Sequence, residues 1–295
     1  GVICGPKGYE KSYNQQEKEI QNNIEIYRVN AANLDKNNIS LRIIRMLFLT
    51  IGMAFKVLSK VKKGDEVLIV TNPIFLLPII ALLKKILKFR LNILVHDVFP
   101  DNLLPAQLVK SNSLKYRALN KIFNWGYNQS DNLIVLGSDM KDIMLNKLRT
   151  KSDKIKIIPN WYDPNIYPIK DFSASDYYNI NMDDKIVIAF AGNIGRLQGL
   201  QEFIDCFIKA DNEDLLLILI GDGAVKAELE TEIRQKNIKN ILFVGSKPRS
   251  EQNEFLNACD IGLITLSSGM KGIGVPSKTY NIMAAGKPIL YIGDK

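Results

Sequence analysis

Apolar residues along the chain gather into short continuous runs, and amphipathic stretches of helical period lie between them. In the second half the runs are IVIAFA at 186–191, LLLILIGDG at 215–223, ILFVG at 241–245, IGLIT at 261–265 and PILYIG at 288–293. Runs that do not alternate, punctuated by helices, predict parallel strands covered on both faces. The first half repeats the pattern. Strands are predicted at 2–5, 24–29, 67–71, 92–101, 132–136 and 155–158, and helices at 41–62, 114–129 and 138–148, with a buried helix after the Asn72-Pro73 turn. A polar, tyrosine-containing loop joins the first two strands. The fold class is therefore α/β.

The stretch from Pro159 to Asp184 is rich in Pro, Asn, Asp, Ser and Tyr and reads as a linker. A chain of 295 residues suits two domains, since domains commonly hold roughly 100–200 residues each. The expected division is 1–165, linker 166–184 and 185–295. Val2 to Gly5 reads as a strand end, and Lys295 follows a strand and loop, so both domains are expected to be truncated, lacking a first strand and a closing helix.

Open parallel sheets bind ligands beyond the carboxyl ends of their strands, which makes the residues there the candidates. The first is the turn AGNIGRLQG at 191–199, with Gly192, Gly195 and Gly199 around Asn193 and Arg196. Free backbone N–H groups at a helix start favour an anion, and an arginine adds a fork of donors. The spacing is not the dinucleotide fingerprint, and such a turn also serves to pack a helix on a strand. Gly221, Gly223 and Gly245 lie at the next two strand ends. In the first half His96 and Asp97 sit at a strand end. His96 is the only histidine, which excludes metal sites built on several histidines. It reads either as a satisfied structural histidine or as part of a site.

Hydrophobic residues make up 46% and charged ones 24%, the balance of a globular protein. Three scattered cysteines lack disulfide or zinc spacing, and they read as core residues in a reducing cytoplasm. The net charge of +8 is uneven: residues 1–180 hold 26 Lys and Arg against 16 Asp and Glu, and residues 181–295 hold 13 against 15. Residues 41–90 hold ten basic and two acidic residues among Leu, Ile, Phe and Met. This composition suits an anionic membrane surface, where each basic residue contributes about 1 kcal/mol. Neither apolar candidate spans a bilayer. Met46–Phe55 is uncharged for only ten residues where about 20 are needed, and Val67–Leu83 is broken by Asn72, Pro73 and Pro78. The basic residues lie among aliphatics rather than stacking aromatics, which argues against nucleic acid.

Six stretches resemble the retaining glycosyltransferases of family 4: VHDVFPDNL at 95–103, IIPNWYD at 157–163, AGNIGRLQGL at 191–200, LILIGDG at 217–223, FVGSKPRSE at 243–251 and GVPSKTYNIMAAGKP at 274–288. Within that family the chain is most similar to builders of O-antigen, capsule or colanic-acid-type polysaccharides. The resemblance implies a GT-B fold, with two Rossmann-like domains whose parallel sheets face across a cleft. It implies transfer from a nucleotide-diphosphate sugar, commonly a UDP sugar, to a polyprenyl-diphosphate-linked saccharide. The enzyme would work as a cytoplasmic protein peripheral on the inner face of the plasma membrane.

No metal or other cofactor is implied, and the chain has no Asp-X-Asp motif. Positive side chains would then neutralise the leaving diphosphate. By the resemblance these are Arg196 and Lys278, since Asn193 and Gln198 stand where many relatives carry Arg and Lys. Gly192, Asn193, Gly195, Gly223, Gly245, Gly274, Ser277 and Asn281 would line the donor site. His96, followed by Asp97, would face the transferred sugar from the other domain. The family's two glutamates, separated by seven residues, are not intact: Lys271 and Asn281 lie near their positions. This departure keeps a second reading open, a non-catalytic nucleotide-sugar-binding or membrane-recruiting subunit. A GT-B epimerase fits less well, because its acid/base chemistry calls for carboxylates and histidines that a single-histidine chain supplies poorly.

Overall fold

The computed structural model describes residues 1–6, 17–31, 34, 39–148, 152–182 and 184–294. Two compact units divide the chain: residues 1–104 with 109–158, and residues 159–295 with the short piece 105–108.

The first unit holds a parallel four-stranded sheet in the order β4 (Glu66–Val70), β5 (Arg90–Val95), β6 (Asn132–Val135), β7 (Ile155–Ile157). On β5 the inward residues Leu91, Ile93 and Val95 are fully buried, while Asn92 faces the other way and accepts a hydrogen bond from Asn132 at 2.8 Å. This strand thus alternates instead of burying both faces. Helices α2 (Leu76–Leu87), α3 (Leu114–Asn128) and α4 (Ser138–Leu148) supply Leu77, Ile80, Tyr127, Met140 and Met144 to the core. The uncharged stretch 67–83 resolves into strand, turn and buried helix, as its prolines require.

A separate three-stranded sheet, β1 (Val2–Cys4), β3 (Ile24–Arg28) and β2 (Lys18–Gln21), precedes the long helix α1 (Ile39–Lys60), which packs on β1 and α2. Most of the polar loop expected between the first two strands, residues 7–16, lies outside the described residues. β2 is a strand that the hydrophobic pattern does not show.

The second unit is a five-stranded parallel sheet in the order β10 (Ile241–Gly245), β9 (Leu215–Ile220), β8 (Ile186–Ala191), β11 (Ile261–Thr265), β12 (Ile289–Ile292). Here the continuous runs have their physical cause. Val187 and Ala189 join a core with Ile218, Phe255 and Ile282 on one face, and Ile188 and Phe190 join Leu217, Ile204 and Phe207 on the other. Helices α6 (Leu200–Ala210), α7 (Lys226–Gln235), α8 (Gln252–Asn257) and α9 (Lys278–Ala284) alternate with the strands.

The linker region packs on this unit. Asn257 accepts from Ile169 N–H at 2.8 Å, Asn253 accepts from Tyr167 N–H at 3.0 Å, and a short helix α5 (Ala174–Tyr178) lies within the stretch read as a linker. The cysteines are corrected in part: Cys259 is buried, Cys4 is half-buried and Cys206 is exposed. Phe203, Ile204 and Phe207 take the inward positions of α6, which turns Cys206 to solvent.

Candidate functional site

At the carboxyl ends of the second sheet, three turns are tied by main-chain hydrogen bonds. Gly192 N–H donates to Ile220 O at 2.8 Å, Ile194 N–H to Asp222 O at 2.9 Å, and Gly221 N–H to Gly245 O at 2.8 Å. The ends of β8, β9 and β10 thus form one ledge of backbone. A Cβ on Gly221, whose φ is +143°, would lie 1.9 Å from Gly192 O, and one on Gly223 would lie 2.2 Å from Ile194 O. The GDG sequence is needed because the preceding turn lies against it.

Lys278 opens α9, and its side chain runs to this ledge. A Cβ on Gly192 would stand 3.3 Å from Nζ, and Nζ lies 3.4 Å from the centre of the Phe190 ring. The ammonium is buried and has no hydrogen-bond partner among the described residues. An aromatic face attracts a cation, but a buried ion without a counter-charge remains costly. Burial accordingly pushes the Lys278 pKa down to about 7 from 10.5. Thr265, which ends β11, is a second case: it is fully buried, and its Oγ1 has no hydrogen-bond partner among the described residues. The register pairs Ile188 with Ile261 and Ala189 with Gly262, and β11 runs on to Thr265 at its carboxyl end. Two buried polar groups without a hydrogen-bond partner among the described residues therefore lie at the carboxyl ends of this sheet.

Arg196 is exposed in a 3-10 turn, Arg196–Gln198. Ser267 fixes that turn, donating its hydroxyl to Arg196 O at 3.0 Å and its N–H to Leu197 O at 3.1 Å. Asn193 is exposed beside it, its side chain folded over Gly195. Gly199 leads directly into α6, and Gly274 and Ser277 precede α9. Asn281 has a structural use in addition: its Oδ1 accepts from Asp163 N–H at 2.9 Å, and the Asp163 carboxylate pairs with Arg249 at 2.9 Å. Asn281 and Arg249 thereby clamp the linker region onto the second unit.

In the first unit His96 and Asp97 follow the last residue of β5, so the strand predicted to 101 stops at Val95. Thr71 ends the run of β4, and its Oγ1 accepts from His96 N–H at 3.2 Å and from Asp97 N–H at 3.3 Å. These two residues leave the ladder because a threonine hydroxyl takes their amides. Burial raises the Asp97 pKa, and His96 opposes the shift. Sequence reasoning passed over Thr71, whose one signal is a hydroxyl closing an apolar strand before Asn-Pro. Thr71→Val keeps the shape and leaves two amides unpaired, at a cost of about 1–3 kcal/mol. It is expected to lower the Tm and any activity that uses His96 while leaving nucleotide affinity unchanged; an unaltered melting curve would show that the hydroxyl positions nothing.

Residues 177–293 match the family described as Glycosyl transferases group 1. The fold is GT-B. A solved structure of Anabaena Alr3699/HepE in complex with UDP and glucose shares it, with a TM-score of 0.65, 18% identity and coverage of 91% of this chain and 67% of that one. Among curated relatives, "Probable glycosyltransferase WbjE" of Pseudomonas aeruginosa is 37% identical over 263 residues, 88% of this chain and 65% of its own length. "Putative colanic acid biosynthesis glycosyl transferase WcaI" of Escherichia coli K12 is 26% identical over 229 residues, 76% of this chain and 56% of its own length. The chain thus spans less than two thirds of either relative. In GT-B terms the ledge, Lys278, Thr265 and Arg196 belong to the second Rossmann-like unit, and His96 and Thr71 to the first.

Proposed function

We propose that the chain acts in glycosyl transfer from a nucleotide-diphosphate sugar, most simply a UDP sugar, as a retaining enzyme of family 4. The observation that carries the reading is the buried, unpartnered ammonium of Lys278 at the strand ends of a GT-B unit. Matching residues 177–293 to the group 1 family and the UDP named with Alr3699/HepE support it. Lys278 and Arg196 take the donor diphosphate, and Thr265 offers a hydroxyl to the same group. As the C1–O bond to the diphosphate breaks, both cations meet growing negative charge, so they stabilise the transition state more than the ground state. In a front-face course the acceptor oxygen bonds to C1 on the side the diphosphate leaves, and its proton passes to a departing phosphate oxygen. His96 orients the sugar and does not attack it. No metal is needed in this scheme. The proposed acceptor is a polyprenyl-diphosphate-linked saccharide of a cell-surface polysaccharide, presented at the inner face of the plasma membrane.

The test is calorimetric titration with UDP, with and without a chelator, followed by incubation with UDP-glucose and other UDP sugars. Saturable binding that ignores the chelator, with turnover of one donor, is expected; absence of binding by every nucleoside diphosphate would overturn the reading. One observation favours a second reading. Asn281 stands near a position where the family carries a glutamate, and it is engaged with Asp163, as a binding subunit without catalysis would permit. Tight nucleotide-sugar binding with no turnover in the presence of lipid-linked acceptors would select that alternative.

A further inference from the structure

The loop that carries His96 is held by one stripe of α3. Tyr116, Asn120, Phe123 and Tyr127 follow at spacings of four, three and four, which puts them on one face of the helix. Each has a partner in or beside the loop. The Tyr127 hydroxyl accepts from Phe99 N–H at 3.4 Å, and the Phe123 ring meets that of Phe99 edge to face, with centroids 4.3 Å apart. The Tyr116 hydroxyl donates to Asp101 Oδ1 at 3.0 Å. Asn120 reaches the loop through Lys147 of α4, whose Nζ donates to Asn120 Oδ1 at 2.6 Å and to Asp101 Oδ2 at 2.5 Å.

Lys147 is hidden from the hydrophobic pattern. It stands beside Leu148 on a helix whose inward residues are Met140, Met144 and Leu148, where a lysine reads as a solvated margin. Instead its side chain is only 6% exposed, and its charge meets that of Asp101. Burial lowers the Lys147 pKa and the Asp101 carboxylate opposes the shift; burial and the same carboxylate push the Tyr116 pKa up to about 12, which keeps that hydroxyl a donor. A buried ion pair is often no more stabilising than apolar residues of similar volume, so stability is a poor account of this one. Direction is a better account. Two helices take the two carboxylate oxygens, and Asp101 thereby closes the far end of a loop whose near end is held where Thr71 takes the His96 and Asp97 amides. The His96 ring has no hydrogen-bond partner of its own among the described residues, so the backbone that carries it sets where it stands.

We propose that Lys147 and Tyr116, acting through Asp101, are positioning residues that hold the 96–101 loop and so fix the place of the His96 ring. Neither touches the reacting atoms. Their effect on transfer rests on the reading of His96 as the residue that orients the sugar; the placing of the ring does not.

The single histidine makes the test direct, because a chain without a histidine tag gives one imidazole Cε1–H resonance in a proton NMR spectrum. Its titration is followed in the wild type, in Tyr116→Phe and in Lys147→Met/Asp101→Asn, a pair of substitutions that leaves no buried charge unpaired. Lys84→Met is the control, since it breaks the Lys84–Asp131 pair at the opposite end of β5. In the double variant the His96 midpoint should move by at least about 0.3 pH unit, or about twofold in proton affinity. Tyr116→Phe should move it less and in the same direction, and Lys84→Met should lower the Tm without moving it. A folded double variant with the wild-type resonance and midpoint would overturn the proposal, as would an equal shift in Lys84→Met. Should the double variant fail to fold, Tyr116→Phe decides: a moved midpoint supports the proposal and an unmoved one overturns it. With a UDP sugar that turns over, the double variant should lose about 10–10²-fold in kcat at wild-type UDP affinity. That loss should vanish in a His96→Ala background, and full additivity would overturn the route through His96. A moved midpoint in a chain that turns over no donor would count against the donor reading alone.

Discussion

Lys278→Met is expected to stabilise the ligand-free protein and to weaken nucleotide binding sharply in the same step. The ammonium is buried on Phe190 with no hydrogen-bond partner among the described residues, so the fold carries a buried ion that methionine of similar length would replace without charge. Removing buried ionic groups in favour of apolar ones of like volume commonly gains about 1–4 kcal/mol. The sign follows from the depressed pKa. Between about 7 and 10.5 the unfolded chain holds a proton that the folded chain has given up, and stability rises with pH wherever the unfolded state binds more protons. The wild type should therefore gain on the variant as pH rises through this window. The gap is widest at pH 7 and below and closes above pH 10.5. Urea unfolding at neutral and alkaline pH measures it. Binding should move the other way: truncating one member of a desolvated charge pair costs roughly 2–5 kcal/mol, so UDP affinity should fall by about 30-fold or more. Loss of one donor to the developing charge should cost about 10²–10³ in kcat. A variant that is less stable than wild type yet binds UDP normally would make Lys278 a packing residue and remove the main support for the donor site.

The fold was legible where burial repeats along a strand. Val187, Ile188, Ala189 and Phe190 are apolar in succession because helices cover both sheet faces. Strand β2, KEIQ, was not legible, because its residues are exposed or half-exposed and its pairing with β3 is made by backbone. The strand at 92–101 was overrun for a related reason: Val98 and Phe99 are buried like strand residues, but they belong to a loop anchored by Thr71 and by the Tyr127 hydroxyl, which accepts from Phe99 N–H at 3.4 Å. At the site, the glycine turn and Arg196 stand out by local spacing. Lys278 stands out only through the resemblance, since a lysine at a helix start is ordinarily solvated. Its burial depends on Phe190 and Gly192, more than eighty residues earlier in the chain. The contact of Asn281 with Asp163 is equally long-range, which is why residue type did not show the clamp that the geometry does.

Gly221→Ala is the second substitution with a large expected effect, and it probes the ledge without touching charge. The added Cβ would meet Gly192 O at 1.9 Å, and Gly192 in turn donates its N–H to Ile220 O at 2.8 Å, so neither turn can retreat without breaking that main-chain bond. The backbone at φ +143° also disfavours any side chain. Together these predict a loss of about 3 kcal/mol or more, in the range reserved for steric conflict in a packed interior. Gly245 supplies the control. Its φ is +81°, but a Cβ there has nothing within 4 Å, so Gly245→Ala should cost only the local strain, about 1–2 kcal/mol. Chemical denaturation of both variants separates close approach from backbone strain. If Gly221→Ala proves as mild as Gly245→Ala, the turns can slide past one another and the ledge does not fix Gly192 against Lys278. If the predicted difference appears, any nucleotide affinity left in Gly221→Ala should be reduced as well, because the displaced turn is the one that stands over the Lys278 ammonium.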